Sequence, residues 1–341
     1  RGTMEQLKEM LFQLCSAAGT PGDEHFAALQ AKKALEPYCT DVTIDHMGNV
    51  IGFMGDKNAE RQVMLDAHID QIGMIVTQID EDGFLHIAPC GGVDRRVLPG
   101  APVTVYGHET LTGIVCCLPP HLVEDDGNKV EPVDKMAVDL GLTKEEAEQK
   151  VSLGDRIIIN GEPRTLLNHR VSSAALDDRA GCAALIRCAQ LLHDKPLKCG
   201  LTILLSTREE TGSQGAKTGA FRIFPTEAIA VDVSFADQPG VAAYKCGKLG
   251  AGPMIGVSPT LDREMKDKLV HIAKDEEIPY QMEVMGGSTG TNADVIGTTQ
   301  SGVRTALISI PLRYMHTPVE VVDLEDIERV AKLMASYIHH R

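Results

Sequence analysis

Leu201-Thr202-Ile203-Leu204-Leu205-Ser206-Thr207-Arg208-Glu209-Glu210-Thr211-Gly212 is the stretch on which the fold turns. Its first half lacks the alternation of a strand with one face in water, so it reads as a strand buried on both faces, inside a sheet covered by helices. Two acids at the mouth of such a strand need compensation, because an unpaired buried carboxylate costs several kcal/mol. A metal ion for one and a proton for the other would supply it. A solvated strand end would account for the pair equally well.

Working outward, other apolar segments end in the same way. Val63-Met64-Leu65 leads into Asp66-Ala67-His68, and Ile229-Ala230-Val231-Asp232-Val233 carries a lone carboxylate where burial is expensive unless the group is paired or coordinated. A strand expected over 305–310 is followed by Pro311-Leu312-Arg313-Tyr314-Met315-His316. Open α/β sheets gather ligands at the C-terminal ends of their strands, and four segments converging there weigh more than any one. His68-Ile69-Asp70 suits a metal-binding imidazole whose second nitrogen is held by a carboxylate. A surface histidine beside an acid has the same sequence. Leu176-Asp177-Asp178-Arg179-Ala180-Gly181 sets two acids before a helix expected over 178–192. Aspartate is a common N-cap, a role that fits Asp178 and leaves Asp177 as the candidate to bridge two cations. His316 precedes Thr317-Pro318 in a loop, which suits a ligand better than a core histidine.

The rest of the chain organises around these segments. Apolar residues at helical spacing predict helices over 4–18 and 24–35, and 42–53 reads as two short strands. From 71 to 163 the character changes to short β-rich pieces, at 73–79, 84–87, 103–106, 112–118 and 156–160, with one helix at 144–151. Alternation then resumes, with strands at 201–206, 228–233 and 305–310 and helices at 178–192, 261–273 and 324–338. The expected fold class is α/β, a mixed sheet flanked by helices and interrupted by a small β-barrel-like domain. Residues 1–70 and 164–341 form the two segments of a catalytic domain, and 71–163 the insertion. Gly286-Gly287-Ser288-Thr289-Gly290-Thr291 has no following Gly-Lys-Ser, so it reads as a flexible loop near a substrate rather than a phosphate loop.

Composition removes some functions. A formal charge of -15 and a pI near 5.2 oppose binding to nucleic acid or anionic membrane. Nine scattered cysteines without any C-x-x-C suggest neither a disulfide framework nor a zinc ribbon, and imply work in a reducing cytoplasm. No apolar run approaches the ~20 residues of a membrane span.

Taken in order, Ala67-His68-Ile69-Asp70, Ala175-Leu176-Asp177-Asp178-Arg179-Ala180-Gly181, Glu209-Glu210-Thr211-Gly212, Ala230-Val231-Asp232-Val233 and Arg313-Tyr314-Met315-His316-Thr317-Pro318 form a set. This set resembles the glutamyl aminopeptidase family, which includes the tetrahedral, self-compartmentalising aminopeptidases and some members labelled endoglucanase. The resemblance covers essentially the whole chain from Met4. It implies a metal-dependent aminopeptidase that hydrolyses N-terminal residues from peptides through a water bridged by two divalent ions, zinc first, with cobalt or manganese as substitutes. By resemblance, His68 and Asp232 would hold one ion, Glu210 and His316 the other, and Asp177 both. Asp70 would orient His68, and Glu209 would be the general base. The same family implies a homo-oligomer in which the insertion is a dimerisation domain and dimers can assemble into a hollow dodecamer.

Three positions depart from the family: Gln71 and Asn292 where an acid is frequent, and Arg208 where glutamine is. They bear on substrate choice rather than on the metal set. An N-acyl amino acid deacylase or amidase on the same centre is the main competing expectation, and a metal-binding assembly protein without turnover is another. An endoglucanase is disfavoured, because glycosidases need two carboxylates rather than paired metals, and this chain has no Trp and only 4% aromatic residues on which sugar rings could stack.

Overall fold

The computed structural model describes residues 2–123 and 129–340. Eight strands form one sheet, in the order Asp41–Ile44, Val50–Gly55, Gly200–Ser206, Gln62–His68, Glu227–Phe235, Arg304–Leu312, Met254–Val257 and Gln281–Val284. Val50–Gly55 runs antiparallel to Gly200–Ser206, and the strands from Gly200–Ser206 to Arg304–Leu312 are mutually parallel. Their C-terminal ends therefore open on a single edge. Register aligns Ser206 with His68 and Asp232 with Ser309, so the side chains expected to do chemistry arrive at one level.

Every residue of Gly200–Ser206 is buried, as its unbroken apolar run requires. Alternate residues of the central strands serve opposite faces. Val63, Leu65, Ile203, Leu205, Ile229 and Val231 pack with the helices Thr3–Ser16, Leu176–Leu192 and Leu324–His339 in the main core. Met64, Leu204, Ala228, Ala230 and Leu307 pack instead with Ala216 and Ala220 of the helix Gln214–Ile223 and with Ile296. The mixed sheet flanked by helices is thus as expected.

The β-rich stretch closes into a six-stranded barrel in the order Gly73–Ile79, Leu85–Cys90, Ala137–Asp139, Thr110–Val115, Pro102–Tyr106 and Arg156–Ile159. Met74, Val76, Ile87, Val103, Val105 and Ile157 fill it. The helix Lys144–Lys150 starts at a capping box made by Thr143 and Glu146. Ala137–Asp139 is too short to carry a periodic signal, and the four-residue strands Met254–Val257 and Gln281–Val284 at the sheet edge were not anticipated for the same reason. A small separate sheet pairs Arg170–Ser173 with Arg164–Thr165 and with Glu320–Asp323, aligning Ser173 with Glu320.

Arg179 ties these parts together. Its fully buried guanidinium donates to the carbonyl oxygens of Ile69 at 2.6 Å, Ala17 at 2.8 Å and Leu14, and to Gln71 Oε1 at 3.2 Å. One side chain thereby fastens the end of the first helix and the segment just beyond His68 to the helix that follows Asp178. Replacing it by a side chain of similar length without donors strands two buried carbonyls and a part-buried one. Arg179→Met is expected to lower the unfolding free energy by about 3 kcal/mol or more, read as a lower urea midpoint at unchanged slope.

Candidate metal centre

His68 is the last residue of its strand and is buried. Its Nδ1 lies 3.0 Å from the backbone oxygen of Asp70 and 3.3 Å from Asp70 Oδ1. An oxygen of either kind can only accept here, so Nδ1 carries the proton and Nε2 presents its lone pair. That Nε2 faces Asp177 Oδ1 at 3.1 Å, Glu209 Oε2 at 3.5 Å and Asp232 Oδ1 at 3.7 Å. His316 repeats the device from the opposite side. Its Nδ1 donates to the Gly92 carbonyl at 2.7 Å, and its Nε2 faces Asp177 Oδ2 at 3.2 Å and Glu210 Oε1 at 3.5 Å. Asp177 therefore offers one oxygen to each imidazole.

Whether these groups fit a metal can be tested on their own geometry. His68 Nε2 and Asp177 Oδ1 are sealed from solvent and, despite their separation of 3.1 Å, neither makes a hydrogen bond. Both are aimed at shared space rather than at each other. Donor atoms around a tetrahedral cation with bonds of ~2.0–2.1 Å stand about 3.3 Å apart. The contacts from the two Nε2 atoms, at 3.1, 3.7, 3.2 and 3.5 Å, are of that size. Imidazole mixed with carboxylate is also the donor chemistry that divalent zinc, cobalt and manganese accept. The residues fit.

Electrostatics point the same way. Burial pushes the Glu209 carboxyl up to about 9, with His68 opposing and Asp232, Glu210 and Asp177 adding repulsion. Burial, with Asp177 beside it, likewise raises Glu210 to about 7. Asp177 is buried too, yet the two imidazoles overcome that and hold it well below the ordinary carboxylate range. The centre carries more negative charge than its histidines can balance, which is the condition a divalent cation relieves.

Three carboxylates behind the centre hold its backbone. Asp70 accepts from the N–H groups of Glu209 and Glu210, both at 3.0 Å. Asp178 accepts from Gly181 N–H, as a helix cap would, and also from His68 N–H, both at 3.2 Å. Glu320 accepts from Asp177 N–H at 3.0 Å and His316 N–H at 2.9 Å. Sequence reasoning missed Glu320 altogether, although a lone acid inside Val319-Glu320-Val321-Val322 carries the same signal that singled out Asp232. Arg208, just before the paired acids, adopts φ 56° and donates its N–H to Glu24 Oε1 at 3.1 Å, which turns the chain so that both glutamates face inward.

Beside the centre lies a cavity of about 810 Å³, bordered by Asp177, Glu209, Glu210, Asp232 and His316 and walled further out by Ser234, Phe235, Met254, Met282 and Glu283. The loop containing Ser288, Thr289, Gly290 and Thr291 borders it, in keeping with its expected place near a substrate. The three departures noted above do not border it. Gln71 is spent on Arg179, and Asn292 is buried, donating to Asp66 Oδ2 and Ser206 Oγ, both at 2.9 Å. The large cavity thus owes its lining to other residues.

The profile of the family described as M42 glutamyl aminopeptidase matches residues 48–333. The lysyl aminopeptidase of Pyrococcus furiosus is 36% identical over 335 residues, covering 95% of this chain and 94% of that one. Aminopeptidase APDkam598 from Desulfurococcus kamchatkensis superimposes with a TM-score of 0.93 at 33% identity, covering 99% of this chain and 96% of that one. The Pyrococcus horikoshii TET1 peptidase, which can assemble into a tetrahedron or a large octahedral shell, gives 0.87 at 30% identity over 98% of this chain and all of its own. With the sheet, the barrel and the acid and histidine cluster, these likenesses define a peptide hydrolase, a metal-dependent aminopeptidase. The chain belongs to the M42 glutamyl aminopeptidase family.

Glu320 gives a direct check on how the centre is held. Glutamine in its place keeps one acceptor oxygen where two N–H groups need one each. Glu320→Gln is expected to weaken metal binding by roughly 10- to 100-fold in competition with a chromophoric chelator, while circular dichroism stays that of the parent.

Proposed function

We propose that this aminopeptidase is dinuclear, with His68 and Asp232 holding one divalent ion, His316 and Glu210 the second, and Asp177 shared by both. The observation that carries the reading is the position of Asp177, one carboxylate oxygen 3.1 Å from His68 Nε2 and the other 3.2 Å from His316 Nε2. When bound, the ions would supply Lewis acidity for the scissile carbonyl and lower the pKa of a bound water. Zinc is the ion we propose, with cobalt or manganese able to replace it.

Counting donors supports a separate task for Glu209. His68 has Asp177, Asp232 and Glu209 beside it, one carboxylate more than His316, which has Asp177 and Glu210. Glu209 is the carboxylate left over, and it borders the large cavity. We assign it to take the proton of the attacking water and deliver it to the leaving amine. Asp70 keeps His68 in the tautomer that presents Nε2 and fixes the backbone from which both glutamates project.

Peptides are the proposed substrates, their N-terminal residue seated in the cavity. We further propose a catalytic domain made of residues 1–70 and 164–341, with 71–163 as a dimerisation domain within a homo-oligomer. A solved structure of PhTET1-12s, described as a dodecamer in the asymmetric unit and 31% identical to this chain, supports a dodecamer as one form of that oligomer. All nine cysteines are unpaired, which supports work in a reducing cytoplasm. No helix among the described residues is long and apolar enough to cross a membrane.

Hydrolysis of aminoacyl-p-nitroanilides, abolished by a chelator and restored by Zn²⁺ or Co²⁺, is the expected result. Preferential hydrolysis of N-acyl amino acids would replace the reading with a deacylase. Glu209→Gln is expected to cut kcat by about 10²- to 10⁴-fold at unchanged metal content, measured by atomic emission. Loss of an ion together with activity would make Glu209 a ligand. Asp177→Ala should release both ions, and a protein that keeps one at full occupancy would refute the shared carboxylate.

A further inference from the structure

The cavity holds a carboxylate that the reaction does not use. Glu283 borders it from the edge strand Gln281–Val284, and its Oε2 is sealed from solvent with no hydrogen-bond partner. Strand register puts it on the working face. Asp232 pairs with Ser309, Ser309 with Met254, and Met254 with Gln281, two residues before Glu283. Side chains two apart along a strand share a face, so Asp232, Ser234, Ser309, Met254 and Glu283 stand on one side of the sheet. Glu283 is aligned with Gly256 in that register.

The hydroxyls of Ser234 and Ser309 flank the Glu283 carboxyl, and burial with the nearby Asp232 charge holds it above the ordinary carboxylate range. A buried acceptor short of a donor costs free energy until one arrives. Among the described residues that line the cavity there is no buried cation. Lys245, which also borders the cavity, is exposed and lies 5.6 Å from the centroid of the Tyr244 ring. Phe235, Met254 and Met282 are among the other residues that line the cavity, apolar surfaces suited to a methylene stem.

We propose that Glu283 selects substrates with a cationic N-terminal residue, lysine or arginine, by receiving the charged head at the end of an apolar-walled subsite. The inference rests on the reading of this cavity as the seat of the N-terminal residue. A lysine or arginine side chain matches both features, an aliphatic stem for the walls and a donor for Oε2. A neutral aliphatic side chain fills the walls but buries the carboxylate without compensation. An acidic one brings a third negative group toward Glu283 and Asp232.

Norleucine isolates the ammonium from the stem, so the test compares p-nitroanilides of lysine, arginine, norleucine and glutamate with the metal-loaded enzyme. The wild type is expected to favour lysine over norleucine by about tenfold or more in kcat/KM, through KM, with glutamate poorest. Glu283→Gln should bring the lysine-to-norleucine ratio close to one. A wild-type ratio at or below one, or a ratio that survives Glu283→Gln, overturns the inference, while norleucine turnover in that case leaves the aminopeptidase reading standing. Failure to hydrolyse any of the anilides sinks both. Should Glu283→Gln not fold, the wild-type ratio measured at low and high salt decides, because a preference made by charge must shrink as salt is raised and one made by shape must not.

Discussion

The structure depends on bringing carboxylates together where water cannot separate their charges. Asp177, Glu209, Glu210 and Asp232 converge on two imidazoles at the edge where four parallel strands end. Burial, with their mutual repulsion added, raises Glu209 and Glu210, and Asp177, touched by both histidines, is held low instead. A fold that tolerates this without a cation must hold the groups from behind. It does so through backbone N–H groups, which cannot titrate away. Asp70, Asp178 and Glu320 take hydrogen bonds from the main chain of His68, Asp177, Glu209, Glu210 and His316, so the backbone of these five residues is held by the protein itself.

The same economy sets the tautomers. Both histidines spend Nδ1 on a backbone oxygen, Asp70 for one and Gly92 for the other, and both therefore turn Nε2 toward Asp177. Asp177 then has an oxygen for each, and the two halves of the centre share a member. This sharing makes the pair a unit, since displacing Asp177 alters both imidazole environments at once.

Much of this was legible because burial leaves a mark on composition. The run from Leu201 to Ser206 could only be a doubly covered strand, and Asp232 within its apolar neighbours had to be compensated. The barrel was foreshadowed by short strands at even spacing. What stayed hidden depends on partners distant in sequence. Glu320 meets Asp177 across 143 positions, through a small sheet whose strands run to only a few residues. Glu283 alternates with Met282 and Val284 as any surface strand does, so nothing in its own neighbourhood distinguishes a cavity wall from a solvated edge. Gln71, Arg208 and Asn292 drew attention as departures from a family pattern, yet each is engaged in holding the scaffold.

The barrel, which the chain visits between two halves of the sheet, is joined to the centre by a close fit of backbone. Gly91 and Gly92 follow its strand Leu85–Cys90, and the Gly92 carbonyl is the acceptor that orients His316. A Cβ on Gly92 would come within 2.9 Å of His316 Nδ1, and one on Gly91, at φ 87°, within 3.1 Å of the Glu210 Cβ. Only residues without side chains let the barrel approach closely enough to make that bond. One imidazole of the centre is thus oriented by the sheet's own chain and the other by the insertion. The barrel must be docked for His316 to present Nε2 to Asp177, so the orientation of that imidazole depends on the β-rich stretch as well as on the sheet.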